Sequence, residues 1–433
     1  MRLKSVGIVV ALVLLGCMSA RRPAAGSPAN PLLYPYNQAT SISFNVADVT
    51  QAWTSWKAAN ITSANAGGGG RLRVMGGTDA SSSVSEGMAY GILFASLFDD
   101  QATLDGLWLF TRDHLDPQGL MHWHIGNYGQ LLGSGAATDA DEDMALGMIN
   151  ACVKVQKGAW PASPGGLDYC AIGRNLIAAI AAHEVDRPGS APAGGLPNNA
   201  GNELLPGDQW NLSQEYPQGI VNLSYFSPGY FTVFGKFTNN AAFWSGVNSR
   251  NYAITNLAQA QPGNCSKLVP NWNTYGGAPQ RVAWQPEEYA WWSYDAARFA
   301  WRVAVDKAWY DTAASRETMN EIGGFFSSVG INNLQARYRL DGTSVDNYTS
   351  AFFVGNAAPA IWAAPSPAAV NCGAATGTLK TSPQQAYDKL RSLTDSSYYP
   401  GAWRIFGMLL MTGNFPNLYE LANGVTPATA TPT

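Results

Sequence analysis

The feature that most constrains this chain is a succession of helix-length apolar segments, two of which are apolar almost all the way round: Gly87 to Phe98 and Met144 to Val155. Such a helix has no face for water and must be covered on every side. Small residues recur inside both (Gly87, Ala89, Gly91 and Ala95; Ala145, Gly147 and Ala151), so neighbouring helices can approach closely. Periodicity and start signals place helices, these two among them, beginning near Val46, Val84, Gln101, Ala140, Ala171, Pro228, Ala241, Pro286, Asp311, Tyr348, Pro383 and Gly401. Buried and more polar helices alternate. About twelve of them predict an all-α domain, a double ring of six inner and six outer helices with a cleft at one end.

The ends of the chain read differently. Arg2 and Lys4 precede an apolar run from Val6 to Leu15 and then Gly16 and Cys17, the pattern of a secretory signal too short to span a bilayer well. Leu14 to Cys17 also resembles a bacterial lipoprotein box, and lipidation of Cys17 is favoured over an ordinary signal cleaved later, near Ala20 or Ala25. Four units are expected: a signal peptide over 1–17, a tether over 18–40, the helical domain over 41–420 and a Thr/Pro-rich tail over 421–433. The four cysteines beyond Cys17 are Cys152, Cys170, Cys265 and Cys372. They suit an oxidising compartment and allow three pairings. A short Pro/Gly turn from Pro161 to Gly166 joins the helices carrying the first two, so Cys152–Cys170 with Cys265–Cys372 is expected. The protein is expected to be exported, extracellular or at the cell surface, touching a membrane only through a lipid anchor, and monomeric.

Composition excludes some partners. Charged residues are 13% of the chain and the net charge is -4, which gives no basic footprint for nucleic acid. The 15 Trp exceed ordinary core needs, and flat rings are the surfaces on which sugar faces stack. No cofactor is implied. The run Gly67 to Gly70 lacks the Lys-Ser/Thr that follows a phosphate loop, and His122 and His124 have no evident third ligand for a metal.

Three acidic sites carry the chemistry. Glu86 opens an otherwise apolar helix in Ser85-Glu86-Gly87-Met88-Ala89-Tyr90-Gly91; desolvation there raises a carboxyl's pKa, as a general acid requires. The alternative is a Glu placed only to suit a helix N-terminus. Asp139, Asp141, Glu142 and Asp143 crowd another helix start, where a cap accounts for one or two of them but not four. The spacing does not fit a calcium loop of the EF-hand type. Asp295 is the only acid in an aromatic run, Tyr289 to Trp301, with Arg298 three residues on. Their proximity reads as an ion pair that favours the charged carboxylate.

In order and spacing these segments resemble glycoside hydrolase family 8. The resemblance rests on Ser85 to Gly91, on Leu120-Met121-His122-Trp123-His124 running into Ala137 to Ala145, on Ser224 to Phe231, and on Tyr294 to Arg302. It spans about Val46 to Thr412. It implies an (α/α)6 barrel and an inverting hydrolase of a β-1,4-linked polysaccharide. Glu86 would be the general acid, Asp295 the general base, and Asp139 the acid that positions the sugar at the cleavage point. It further implies substrate contacts at Trp123, Tyr294, Arg298, Tyr90, one of Tyr225 and Tyr230, and Asp141, with Asp139 favoured over Asp141 as the acid facing the sugar. Glucan is the first expected substrate, xylan the second and chitosan the third. Two other readings compete: a non-catalytic glycan-binding lipoprotein, and a polysaccharide lyase, against which the weakly basic acid-rich cleft speaks.

Overall fold

The computed structural model describes residues 30–36, 38–77, 79–187, 201–210 and 215–425. The chain divides into Met1–Asn30 and Pro31–Thr433; all that follows concerns the second unit. The signal, the lipoprotein box at Cys17 and most of the Thr/Pro tail lie outside the described residues.

Thirteen α-helices are found among the described residues: α1 Val46–Asn60, α2 Ser85–Leu97, α3 Gln101–Arg112, α4 Thr138–Gln156, α5 Tyr169–His183, α6 Pro228–Phe237, α7 Ala241–Gln259, α8 Ala297–Tyr310, α9 Ala313–Val329, α10 Ala351–Ala363, α11 Pro383–Ser392, α12 Tyr398–Met411 and the short α13 Leu418–Ala422. The even-numbered helices through α12 form a closed inner ring. Each packs on the next in the order α2, α4, α6, α8, α10, α12 and back to α2. The odd-numbered helices α1 to α11 form the outer layer, each packed on an inner neighbour, as expected for an (α/α)6 barrel. Strands are limited to short antiparallel pairs in the connections, such as Trp291–Trp292 with Tyr338–Arg339.

Burial explains why the inner segments lack a polar face. In α2 every residue except Glu86 is buried. Burying Ile92, Leu93 and Phe94 stabilises the fold by about 1.5–3 kcal/mol each, which outweighs the roughly 0.5–1 kcal/mol that a mid-helix glycine costs. The glycine is there for contact: a Cβ on Gly147 would stand 2.8 Å from Ile92 Cγ2 where α4 crosses α2. Both expected disulfides are present, Cys152–Cys170 and Cys265–Cys372.

Two boundaries differ from expectation. The packed body begins earlier than the 18–40 tether allows: Leu32 and Tyr36 are buried, and the Tyr36 hydroxyl donates to the Leu97 carbonyl at 2.6 Å. The helix expected from Pro286 is instead a 3-10 turn over Glu288–Ala290 followed by the Trp291–Trp292 strand, and α8 starts at Ala297. Adjacent tryptophans suit a pleated pairing better than a helix. Asp295 therefore sits on the turn that leads into the helix.

Candidate active site

All six inner helices point their N-terminal ends at one place. Glu86 is in the first turn of α2 and Asp139 in the first turn of α4. Tyr225 lies on the 3-10 turn before α6. Asp295 precedes α8 and Arg298 is in its first turn. Tyr348 stands just before α10, and Tyr398 and Tyr399 begin α12. Helix N-termini carry partial positive charge, so this end of the barrel favours carboxylates before any side chain is counted.

Arg298 is the hub. Its Nη1 donates to Glu86 Oε2 at 2.7 Å and to Asp139 Oδ2 at 2.6 Å, and its Nη2 donates to Asp295 Oδ1 at 3.2 Å. The Tyr225 ring lies 5.2 Å from its Cζ. Arg298 is 3% exposed, whereas the carboxyls of Glu86 and Asp295 keep 23% and 18%. The guanidinium and the Asp139 carboxyl, each 3% exposed, therefore sit behind Glu86 and Asp295, which face the opening. Because Glu86 and Asp295 bind the two terminal nitrogens of one planar group, their facing oxygens are no more than about 8 Å apart.

Burial raises the Glu86 pKa from 4.5 to about 7, partly offset by Arg298 and by the hydroxyl of Tyr398, which donates to Oε1 at 3.0 Å. Gly87 makes that contact possible, since a Cβ there would stand 2.5 Å from the Tyr398 ring. The Asp139 carboxyl is also held up by burial, with Arg298 and Arg302 opposing. A cavity of about 940 Å³ opens beside Tyr398, lined in part by Gly76, Gly77, Ser350 and Ser397. It meets the site through Tyr398; none of the three carboxyls lines it.

The four acids of α4 point in different directions, as residues about 100° apart on a helix must. Asp139 and Asp143 share one face, one turn apart, and meet Arg298 and Arg302, which are one turn apart on α8. Arg302 grips Asp143 with both terminal nitrogens, at 2.5 and 2.9 Å. Asp141 turns the other way and Glu142 to one side, near Arg302, and both are fully buried. One Asp141 oxygen accepts from the Met121 amide at 3.3 Å, while neither Glu142 oxygen has a well-aligned partner. Both are pushed well above the carboxylate range, chiefly by burial. Glu184 behaves in the same way.

Several expected contacts are corrected. Tyr230 is buried, stacked on Trp309 and set over Arg302, so it belongs to the core; Tyr225 is the tyrosine at the site. Tyr90 is also buried, its hydroxyl accepting from Trp403 Nε1 at 3.0 Å, and it lies behind Glu86 out of reach of a substrate. Asp141 faces away from the opening, and Arg298 is screened by the acids it binds. Trp123 and Tyr294 are 44% and 40% exposed beside the carboxyls. Most of the tryptophan excess is core: only Trp123 and Trp284 stand out to solvent among the described residues.

Sequence reasoning missed Tyr398, Tyr399, Gln285 and Asn271. Tyr399 donates to the Tyr294 carbonyl at 3.0 Å, and Gln285 donates to Asp295 Oδ2 at 2.7 Å. Two adjacent tyrosines at the head of an apolar helix were a usable signal. A lone Gln and a lone Asn in a loop were not.

Comparison with known proteins fits this geometry. The pattern of Glycosyl hydrolases family 8 matches residues 23–413. Endoglucanase A of Acetivibrio thermocellus is 33% identical over 98% of this chain and 83% of its own length. Endoglucanase 2 of Ruminiclostridium josui is 33% identical over 86% of this chain and 72% of its own. Among solved structures, a β-1,3-1,4-glucanase from Paenibacillus sp. X4 superposes with a TM-score of 0.72 at 22% identity, covering 88% of this chain and 98% of that one. With a helical double ring, carboxyls gathered at one mouth and a family match over most of its length, this chain belongs to glycosyl hydrolases family 8.

Proposed function

We propose that this hydrolase is an exported, endo-acting β-1,4-glucanase, in which Glu86 is the general acid, Asp295 the general base and Asp139 the acid that positions the sugar at the cleavage point. The observation that carries the reading is the opposite treatment of two carboxyls on one guanidinium. Glu86 is desolvated and lifted to about 7, so it holds a proton near neutral pH. Asp295 has a donor against each oxygen, Arg298 on one and Gln285 on the other, so both its oxygens act as acceptors. Unlike surroundings are how two neighbouring carboxyls divide into acid and base.

In a single displacement, Glu86 gives its proton to the glycosidic oxygen as that bond breaks. Asp295 takes a proton from the water that attacks the anomeric carbon from the opposite face. The anomeric configuration inverts. Inverting pairs work at roughly 6.5–9.5 Å, a range that the upper bound of about 8 Å overlaps. Trp123 and Tyr294 offer exposed ring faces beside the acids for sugar stacking. Glucan is favoured because three relatives aligned over 86% or more of this chain are endoglucanases. Export is supported by the two disulfides, which persist in oxidising compartments. Lipidation at Cys17 goes with it.

Product analysis on carboxymethyl-cellulose, lichenan, xylan and chitosan side by side, with proton NMR of the first product, tests the reading. Internal cuts in the glucans with an initial α-anomer are expected. An initial β-anomer, or action confined to xylan or chitosan, would overturn the mechanism or the substrate respectively. For the anchor, Cys17→Ser should release the protein from membranes; a wild-type protein that is wholly soluble with an unmodified N-terminus beyond Cys17 excludes it.

A further inference from the structure

Asp295 sits on a turn, and the final torsion of an Asp side chain is broad, so its carboxylate plane swings unless both oxygens are held. Arg298 holds one. The other is held from ten residues upstream by Gln285, whose Nε2 donates to Asp295 Oδ2 at 2.7 Å.

The amide of Gln285 has a fixed orientation. Its Oε1 accepts from Trp272 Nε1 at 3.0 Å and from Asn271 Nδ2 at 3.1 Å. An indole N–H only donates, so the oxygen must face Trp272 and the NH2 must face Asp295. Asn271 is fixed by the same logic. Its Oδ1 accepts from the backbone amides of Ser293 at 3.2 Å and Ala296 at 2.9 Å, which leaves its NH2 for Gln285. Asn271 thus holds the turn on both sides of Asp295 while Gln285 holds the side chain. Asn271 and Trp272 are both buried, so the arrangement is anchored away from solvent.

We propose that Gln285, locked by Trp272 and Asn271, is a positioning residue for the base: it fixes the plane of the Asp295 carboxylate so that a remaining lone pair faces the attacking water. Reacting groups must be held within about 0.5 Å of productive geometry, which a carboxylate tied at one oxygen does not achieve. The inference rests on Asp295 being the base, and the test separates the two.

Steady-state kinetics on cellopentaose should be measured for Gln285→Ala, Gln285→Met, Gln285→Glu, Trp272→Phe and Asp295→Asn, with melting temperatures alongside. Gln285→Ala and Gln285→Met should lower kcat about 10- to 100-fold, the scale of a hydrogen bond to a charged group, with KM within about threefold. Trp272→Phe keeps a ring but removes the N–H, and should lower kcat in the same direction by less. Gln285→Glu is the discriminating variant. It preserves shape, so a merely structural role makes it the mildest change. A positioning role makes it the worst, because a second carboxylate then faces Asp295, and the acidic limb of kcat/KM moves to higher pH. Wild-type kcat in Gln285→Ala and Gln285→Met, a loss in KM alone, or Gln285→Glu milder than Gln285→Ala overturns the proposal. If Asp295→Asn itself keeps wild-type kcat, the base assignment fails instead.

Discussion

Replacing Glu86 with glutamine should make the enzyme nearly inactive and, at alkaline pH, more stable. The fold lifts this carboxyl from 4.5 to about 7. At about 1.4 kcal/mol per pH unit that is roughly 3 kcal/mol of preference for the protonated form. A raised carboxyl binds its proton more tightly folded than unfolded. Its favourable contribution is complete below about 4.5 and is lost as pH rises through about 7. The side chain keeps 23% of its surface open to the cleft, so water screens part of the effect and about 1–3 kcal/mol is the working range. Glutamine cannot ionise. Urea unfolding of wild type and Glu86→Gln at pH 4 and at pH 8.5 gives four curves, and any fixed cost of the swap cancels between the two pH values. The variant should gain about 1–3 kcal/mol relative to wild type on moving to pH 8.5. Its kcat should fall by about 10²–10⁴, the usual worth of a general acid. The same stability difference at both pH values, or a wild-type advantage that grows with pH, would refute the argument.

Wild-type activity should fall as pH rises through about 7, where Glu86 loses its proton. Tyr398→Phe removes a hydrogen bond that favours the charged form, so that limb should move up by about one pH unit; a pH–kcat/KM profile checks it. Glu184→Gln replaces a fully buried carboxyl held well above its usual range. Its sign is that of Glu86: the variant should lose less stability than wild type between pH 5 and pH 9 in urea titrations, and equal losses would count against the buried proton. In the chain-entropy view the 107-residue separation of Cys265–Cys372 closes a larger loop than the 18 residues of Cys152–Cys170. Removing the first pair by double alanine substitution should therefore cost about 1–2 kcal/mol more than removing the second, and the reverse order in denaturation would count against that view.

The architecture was legible because burial on both sides leaves a mark that length and periodicity can read. Eleven of the twelve expected helix starts fall within a few residues of the observed ones. The exception, Pro286, fails because aromatic density reads alike in a helix and in a short strand, and only pairing with Tyr338–Arg339 decides between them. Within the site, Glu86 was legible as the single charged residue of an apolar helix. The acids of α4 were legible as a group but not by role. The angle between successive residues is known from sequence, whereas the face turned to the opening depends on where α8 places Arg298 and Arg302. Tyr225 and Tyr230 are separated by the same absent information. Tyr398 reaches Glu86 across 312 residues of sequence, and Asn271 holds the Asp295 turn across 22 to 25, without a local pattern for either.

One charge argument joins these parts. Glu86, Asp139 and Asp295 surround a single guanidinium, so with all three ionised the cluster would carry two uncompensated negative charges at a half-closed site. The six converging helix ends soften that charge without cancelling it, since each supplies only about half an elementary charge and the effect fades within a turn. The cheapest relief is one retained proton. Asp295 has Arg298 and Gln285 against its two oxygens, and Asp139 draws on Arg302 as well as Arg298. Glu86 must share its part of Arg298 with Asp139 and otherwise has neutral tyrosine hydroxyls for partners. The proton therefore collects on Glu86, the residue proposed to deliver it. On this account the acid is defined by what its neighbours take from Arg298 as much as by its own burial.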